Sequence, residues 1–147
     1  MDINTGKYLL VDDRIVEDIW NVRREVVRPA KHVDNPLMVA DRPWEDKGVG
    51  GGYTLFDEQE QIFKMWYNVF NYVAWRNEED HCYTYWICYA ESKDGLSWDK
   101  PELGIIEYEG STKNNLVIQG EWWATIGTVL KEMDEEDPAR RYKMLYT

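Results

Sequence analysis

The run Phe63-Lys64-Met65-Trp66-Tyr67-Asn68 returns 79 residues later (63 to 142) as Tyr142-Lys143-Met144-Leu145-Tyr146-Thr147. Each copy follows a short apolar segment and an acidic tip. The first is Tyr53-Thr54-Leu55-Phe56 with Asp57-Glu58-Gln59-Glu60, and the second is Gly127-Thr128-Val129-Leu130 with Glu132 to Asp137. Two apolar runs around a polar turn read as a β-hairpin, and a hairpin that recurs at a fixed period signals a repeat architecture. The period is long for a solenoid unit but fits a four-stranded propeller blade with extended loops. The second copy reaches Thr147 inside its own second strand, so the sequence reads as the first part of something larger.

Outward from the first copy the pattern stays all-β. Asp57 to Gln61 is a turn, Ile62 to Val69 a strand and Arg76 to Asp80 a charged loop. Cys82 to Glu91 forms a third strand with Tyr83, Tyr85, Ile87 and Tyr89 on one face and Cys82, Thr84, Trp86, Cys88 and Ala90 on the other. A strand apolar on both faces must be covered on both, which neighbouring blades do. Asp94-Gly95 is a hairpin signal. Ile105 to Tyr108 would then complete a four-stranded unit, and Gly110 to Gly120 is a polar loop leading to the second unit. Upstream, Tyr8 to Val11 reads as a strand. Ile15, Ile19, Val22 and Val26 fall at helical spacing, but Val22, Val26 and Val27 running into Arg28-Pro29 favour extended chain. From His32 to Gly52 proline and glycine concentrate, giving a long irregular loop of the kind that carries function. The expected architecture is therefore all-β, with antiparallel four-stranded blades of an incomplete β-propeller. Residues 1–52 hold N-terminal strands and an entry loop, 53–110 a first blade and 121–147 the start of a second, within one domain, 1–147.

Composition narrows the chemistry. Asp and Glu number 28 against 17 Lys and Arg, a net charge of −11 with no basic stripe, so no nucleic-acid partner is expected. Eight Trp and ten Tyr provide broad rings with polar handles, suited to sheet packing and to stacking on sugars. Cys82 and Cys88 would lie roughly 20 Å apart along one strand, too far for a disulfide. They read as two buried thiols. No apolar run approaches the roughly 20 residues of a membrane helix. The N-terminus shows no signal-peptide pattern, so as written the chain reads as cytoplasmic. Gly48-Val49-Gly50-Gly51-Gly52 precedes a strand rather than a helix and is no dinucleotide fingerprint. Met133 to Asp137 lacks the ligand spacing of a calcium loop. No cofactor or metal is expected, and His32 and His81, the two histidines, read as ordinary polar residues.

Two motifs sharpen the reading. Ser92-Lys93-Asp94-Gly95-Leu96-Ser97-Trp98 suits a turn in which Asp94 caps its own backbone, Gly95 takes positive φ and Trp98 staples the hairpin to its neighbour. Lys31-His32-Val33-Asp34-Asn35-Pro36-Leu37, followed by Arg42-Pro43-Trp44-Glu45, precedes the first inner strand. Together with Ile62 to Tyr67, Cys88 to Trp98 and Arg141 to Met144, these resemble the five-bladed propellers of glycoside hydrolase families 32, 43 and 130 and their uncharacterised relatives, over roughly residues 8 to 147. The resemblance implies an axial pocket with carboxylates from the starts of inner strands and a carbohydrate substrate. Glycoside hydrolysis needs two carboxyl groups, one to protonate the leaving oxygen and one to activate water or attack the anomeric carbon. Position nominates Asp34, Glu45, Asp46 and Glu121 as the acids, with His32, Trp44, Trp122 and Trp123 binding sugar. The sequence departs from the family's W-M-N-D-P-N-G and R-D-P signatures, and Asp137-Pro138 falls at a hairpin tip away from the axis. A non-catalytic carbohydrate- or protein-binding propeller is the other reading, and an incomplete propeller has a route to closure by self-association. With the family's third-blade acid missing, no turnover of aryl glycosides is expected from these 147 residues. Turnover abolished by Glu121→Gln would overturn that expectation.

Overall fold

The computed structural model describes residues 16–46, 48–70, 85–119 and 124–147, which fall into two units, residues 1–31 and 32–147. In the first, residues 16–31 form neither helix nor strand, and Trp20, Val22, Val26 and Val27 are exposed. The expected extended pairing is not made there. The valines that disfavour a helix need a partner strand to complete a ladder, and none is paired with them among the described residues. The strand expected at Tyr8 to Val11 lies outside those residues.

The second unit is all-β, with no α-helix among the described residues. A four-stranded antiparallel sheet runs in the order β1 (Val49–Asp57), β2 (Ile62–Phe70), β3 (Tyr85–Ser92), β4 (Leu116–Gln119). A separate hairpin joins β5 (Ile126–Lys131) to β6 (Tyr142–Tyr146). The sequence echo is structural. Tyr53 pairs with Trp66 and Leu55 with Lys64 in the first hairpin; Thr128 pairs with Leu145 and Leu130 with Lys143 in the second. Both hairpins slip register near their start, at Val49/Gly52 and at Ile126/Thr128. A Cβ on Gly52 would stand 2.6 Å from the Trp66 carbonyl oxygen, and one on Gly127 would stand 3.0 Å from that of Leu145. These glycines let the strands cross closely at an irregularity. That corrects the expected boundary. The first strand starts at Val49 rather than Tyr53, because Gly50 to Gly52 belong to it rather than to the entry loop.

A second correction concerns the outer strand, which is Leu116–Gln119 and not Ile105 to Tyr108. After the turn at Ser92 to Ser97, Asp99 pairs briefly with Glu91. The chain then leaves the edge and returns at Asn115, whose carbonyl accepts the Tyr89 N–H at 2.9 Å. In the excursion, Ile106 and Tyr108 pack onto the face of the sheet instead of extending its ladder. The turn itself forms as expected. Asp94 Oδ1 accepts the N–H groups of Leu96 and Ser97, each at 2.8 Å, and Gly95 has φ +75°. Those two N–H bonds and the Ser92 hydroxyl hold the Asp94 carboxyl down to about 2.

Each face of the sheet has its own core. One packs Trp44, Tyr67, Val69, Trp86, Cys88, Ala90 and Leu116. Cys88 is a buried free thiol whose pKa is raised by burial and then by Glu45; Cys82 lies outside the described residues. The other face buries Trp66 and Ile87 against Ala124 and Val129, with Tyr142 and Met144 of β6 beside them. At the tip of the first hairpin this second interface is locked by charge. Asp57, fully buried, receives Lys131 Nζ at 2.6 Å, Lys64 Nζ at 3.3 Å and the Tyr142 hydroxyl. The N–H groups of Gln59 and Glu60 donate to it at 3.1 and 3.2 Å. Lys64 also reaches Glu60 at 2.7 Å and the Tyr142 hydroxyl oxygen at 2.9 Å.

Burial alone would raise the Asp57 pKa, but Lys131, Tyr142 and its other donors outweigh burial and hold it well below 3.8. Burial alone would lower Lys64, and Glu60 and Tyr142 carry it above 10.5. The lowered acid stabilises the fold above about pH 4 and loses that contribution as pH falls through its folded-state value. The raised lysine contributes below about pH 10 and loses that contribution as pH rises through its own. Stability is therefore expected to plateau between these limits and fall on either side. Asp57→Asn leaves Lys131 without its carboxylate and Lys64 with Glu60 alone, and is expected to cost about 3 kcal/mol at neutral pH, while Lys143→Met, at an exposed pair, costs under about 1 kcal/mol. Equal midpoints for both variants in urea titrations would contradict the lock.

Candidate functional site

The entry segment is fixed by one buried acid. Pro43–Glu45 form a short 3-10 turn, with proline pre-set at its start. The side chain of Glu45 is fully buried. Its Oε2 accepts the N–H groups of Asp41 and Arg42 at 2.8 and 3.1 Å and the Lys100 ammonium at 2.8 Å. Its Oε1 accepts the Tyr67 hydroxyl at 2.6 Å. Lys100 reaches in from the excursion and places its three protons on Glu45, on Asp41 Oδ1 at 2.6 Å and on the Val39 carbonyl at 2.9 Å. Its hydrogen bond lowers the Asp41 pKa. Burial, then Cys88 and Glu45, raise the Tyr67 hydroxyl.

The network continues into the core. Asn115 Nδ2 donates to the Tyr67 hydroxyl oxygen at 2.7 Å and to the Tyr89 carbonyl at 2.6 Å. Asn115 Oδ1 accepts the Trp44 indole N–H at 2.8 Å. Trp44 is 9% exposed and meets Tyr108 edge-on, 5.8 Å between ring centroids. The structure thus brings Trp44 and Glu45 together, but as parts of a satisfied core. Four donors already occupy Glu45, and both faces of a sugar-stacking ring are unavailable at Trp44.

The other nominated residues divide. His32 and Asp34 sit in an exposed turn, where His32 Nδ1 lies 3.5 Å from the Asp34 carboxylate and accepts the Asp34 N–H at 3.3 Å. Asp46, exposed, follows Glu45 directly at the end of the turn. Its charge acts on Tyr108, whose hydroxyl is raised by burial and then by Glu109 and Asp46. Tyr108 also meets Trp86 at 5.7 Å, and the buried Trp86 indole N–H has no hydrogen-bond partner among the described residues. Glu121, Trp122 and Trp123 lie outside the described residues, as does His81. No group of three or more His, Cys, Asp or Glu side chains is placed to hold a metal ion among the described residues. No helix there is long and apolar enough to cross a membrane.

Sequence reasoning missed Lys100 and Tyr67 as partners of Glu45, and Asn115 as the partner of Tyr67 and Trp44. Lys100 and Asn115 lie in segments whose local pattern says only loop, and they meet Glu45 and Trp44 across 55 and 71 residues. Glu45→Gln leaves the 5%-exposed Lys100 ammonium without its buried counter-charge and is expected to cost about 3 kcal/mol. Asp34→Asn, in an exposed turn, should cost under about 1 kcal/mol. Equal thermal midpoints for the two would refute the assignment of Glu45 to the scaffold. Comparison with known protein families, with curated proteins and with solved structures gives no match.

Proposed function

We propose that this chain builds a carbohydrate-handling module of the β-propeller type, related in design to glycoside hydrolases that use two carboxylates. The observation that carries the reading is the division of labour between adjacent acids. Glu45 is saturated by its donors, and exposed Asp46 follows it directly before the first strand, with its charge acting on Tyr108. A carboxylate beside a part-exposed aromatic ring suits sugar recognition, since hydroxyl groups bind the acid while a C–H face lies on the Tyr108 ring. Asp46 is the first acid of this reading and Glu121 its proposed partner. The repeated hairpins stacked face to face are the support for blades around an axis.

In a hydrolytic cycle one of these groups would protonate the glycosidic oxygen as its bond to the anomeric carbon breaks. The other would take the proton of the attacking water or bond to that carbon itself, and the separation of the two carboxyl groups sets which. A non-catalytic carbohydrate-binding module uses the same surface without paired acids. Glu45 favours this second reading, because the acid nearest the family's entry motif is committed to the scaffold.

The test is a titration of the folded chain with a panel of soluble oligosaccharides, read by the NMR signals of Tyr108 and the Trp86 indole. At least one oligosaccharide should shift both, and Asp46→Asn should weaken that binding about tenfold, the size of one lost charge-assisted hydrogen bond. Saturation with no shift at either ring, or unchanged affinity in Asp46→Asn, would remove the proposal. If binding survives but no bond is cleaved when Glu121 and Asp46 are both intact, the binding-module reading stands.

A further inference from the structure

The two hairpins are equivalent position by position, yet one face of one is covered and the matching face of the other is bare. By strand register, Tyr53, Leu55, Lys64 and Trp66 correspond to Thr128, Leu130, Lys143 and Leu145. In the first hairpin this face lies under β5–β6, with Trp66 at 7% exposure and Lys64 at 8%. In the second, Leu145 is 68% exposed and Leu130 62%.

The tips match as well. Asp57 and Glu60, three residues apart, hold Lys64; Glu132 and Glu135, also three apart, hold Lys143, Glu135 at 3.3 Å. The tips differ in one charge. Asp57 and Glu60 are neutralised by two lysines, Lys64 from their own hairpin and Lys131 from the hairpin that covers it. Among the described residues Glu132 and Glu135 have one lysine, Lys143. Arg141 of the same hairpin donates to the Glu135 carbonyl oxygen at 3.4 Å, not to either carboxylate. The bare face therefore lacks an apolar cover and a cation brought to Glu132 from outside its own hairpin, and in the first interface a single element supplies both.

We propose that the outer face of β5–β6, carrying Thr128, Leu130, Lys143 and Leu145 with Glu132 at its tip, binds a β-hairpin that brings an apolar face and one lysine or arginine at the end of its leading strand. That cation stands to Glu132 as Lys131 stands to Asp57, and an aromatic hydroxyl at the start of the following strand repeats the part of Tyr142. A second copy of this chain is the poorer occupant. The corresponding face of its own first hairpin is covered by β5–β6, and the opposite face carries Trp44, Trp98, Ile106 and Tyr108.

The probe is a synthetic peptide with the sequence of residues 124–147, titrated into the full isotope-labelled chain. Shifts are expected at the Leu130 and Leu145 methyl groups. Lys131→Glu in the peptide should weaken binding about tenfold or more, as loss of a desolvated charge partner does. Leu145→Asp in the chain should abolish the shifts while Val129 and Met144 keep their parent signals, which shows that the resident hairpin is still docked. Glu132→Gln, at a half-exposed position, should reproduce the loss without touching the apolar face. Four results overturn the proposal. Binding unchanged by Leu145→Asp means that the peptide displaces the resident hairpin. Equal binding by the Lys131→Glu peptide means that no cation is required. Sedimentation of the chain alone as a dimer disrupted by Leu145→Asp gives the face to a second copy. No methyl shift at millimolar peptide leaves the face without this ligand.

Discussion

A carboxylate with no access to water holds the two sheets of the second unit together. Asp57 ends β1, and every favourable contact it makes is with a donor that must be brought to it: two ammonium groups, a phenol and two backbone N–H groups. A lone buried charge is costly, and it becomes tolerable only when all of its partners arrive together. Two of them, Lys131 and Tyr142, come from β5 and β6. The acid therefore specifies which hairpin stacks on the first sheet and in which register, while Trp66, Val129 and Met144 supply the non-directional apolar contact.

The Glu45 network applies the same rule at the other core. Its lysine comes from the excursion after Asp99, its phenol from β2, and its amide from Asn115 at the entrance to β4. The excursion that interrupts the outer strand is what carries Lys100 to the entry turn. An uninterrupted fourth strand would complete more of the ladder with Tyr85–Ser92 but would leave Glu45 and Asp41 without their common cation.

The all-β class, the two hairpins and the Asp94-Gly95 turn were legible because they are local. Alternation, acidic tips and a glycine at positive φ are written within ten residues of one another. The glycine run at Gly50 to Gly52 misled because glycine usually marks a loop, whereas here it permits a strand crossing that only the Trp66 carbonyl explains. Ile105 to Tyr108 misled because an apolar segment of strand length also suits a cover laid on a sheet, and pairing depends on partners that periodicity does not name. Among the nominated site residues, Trp44 and Glu45 are neighbours in sequence, but their burial is set by Lys100 and Asn115, far along the chain. The valines of residues 16–31 show the converse, since strand propensity without a ladder yields no strand.

The separation in sequence of these locking pairs has a kinetic consequence. The hairpin turn at Asp57 to Gln61 closes a loop of a few residues, but Trp44 meets Asn115 across 71 residues, Lys131 meets Asp57 across 74 and Tyr142 meets it across 85. Hairpins of this size form in about 1–10 μs, whereas contacts that close long loops form late and set the overall rate. The acids that fix the final arrangement thus stay hydrated and charged until the second hairpin brings Lys131 and Tyr142 to Asp57. The interfaces made specific by these carboxylates are therefore the last to close, because their partners lie 71 to 85 residues away.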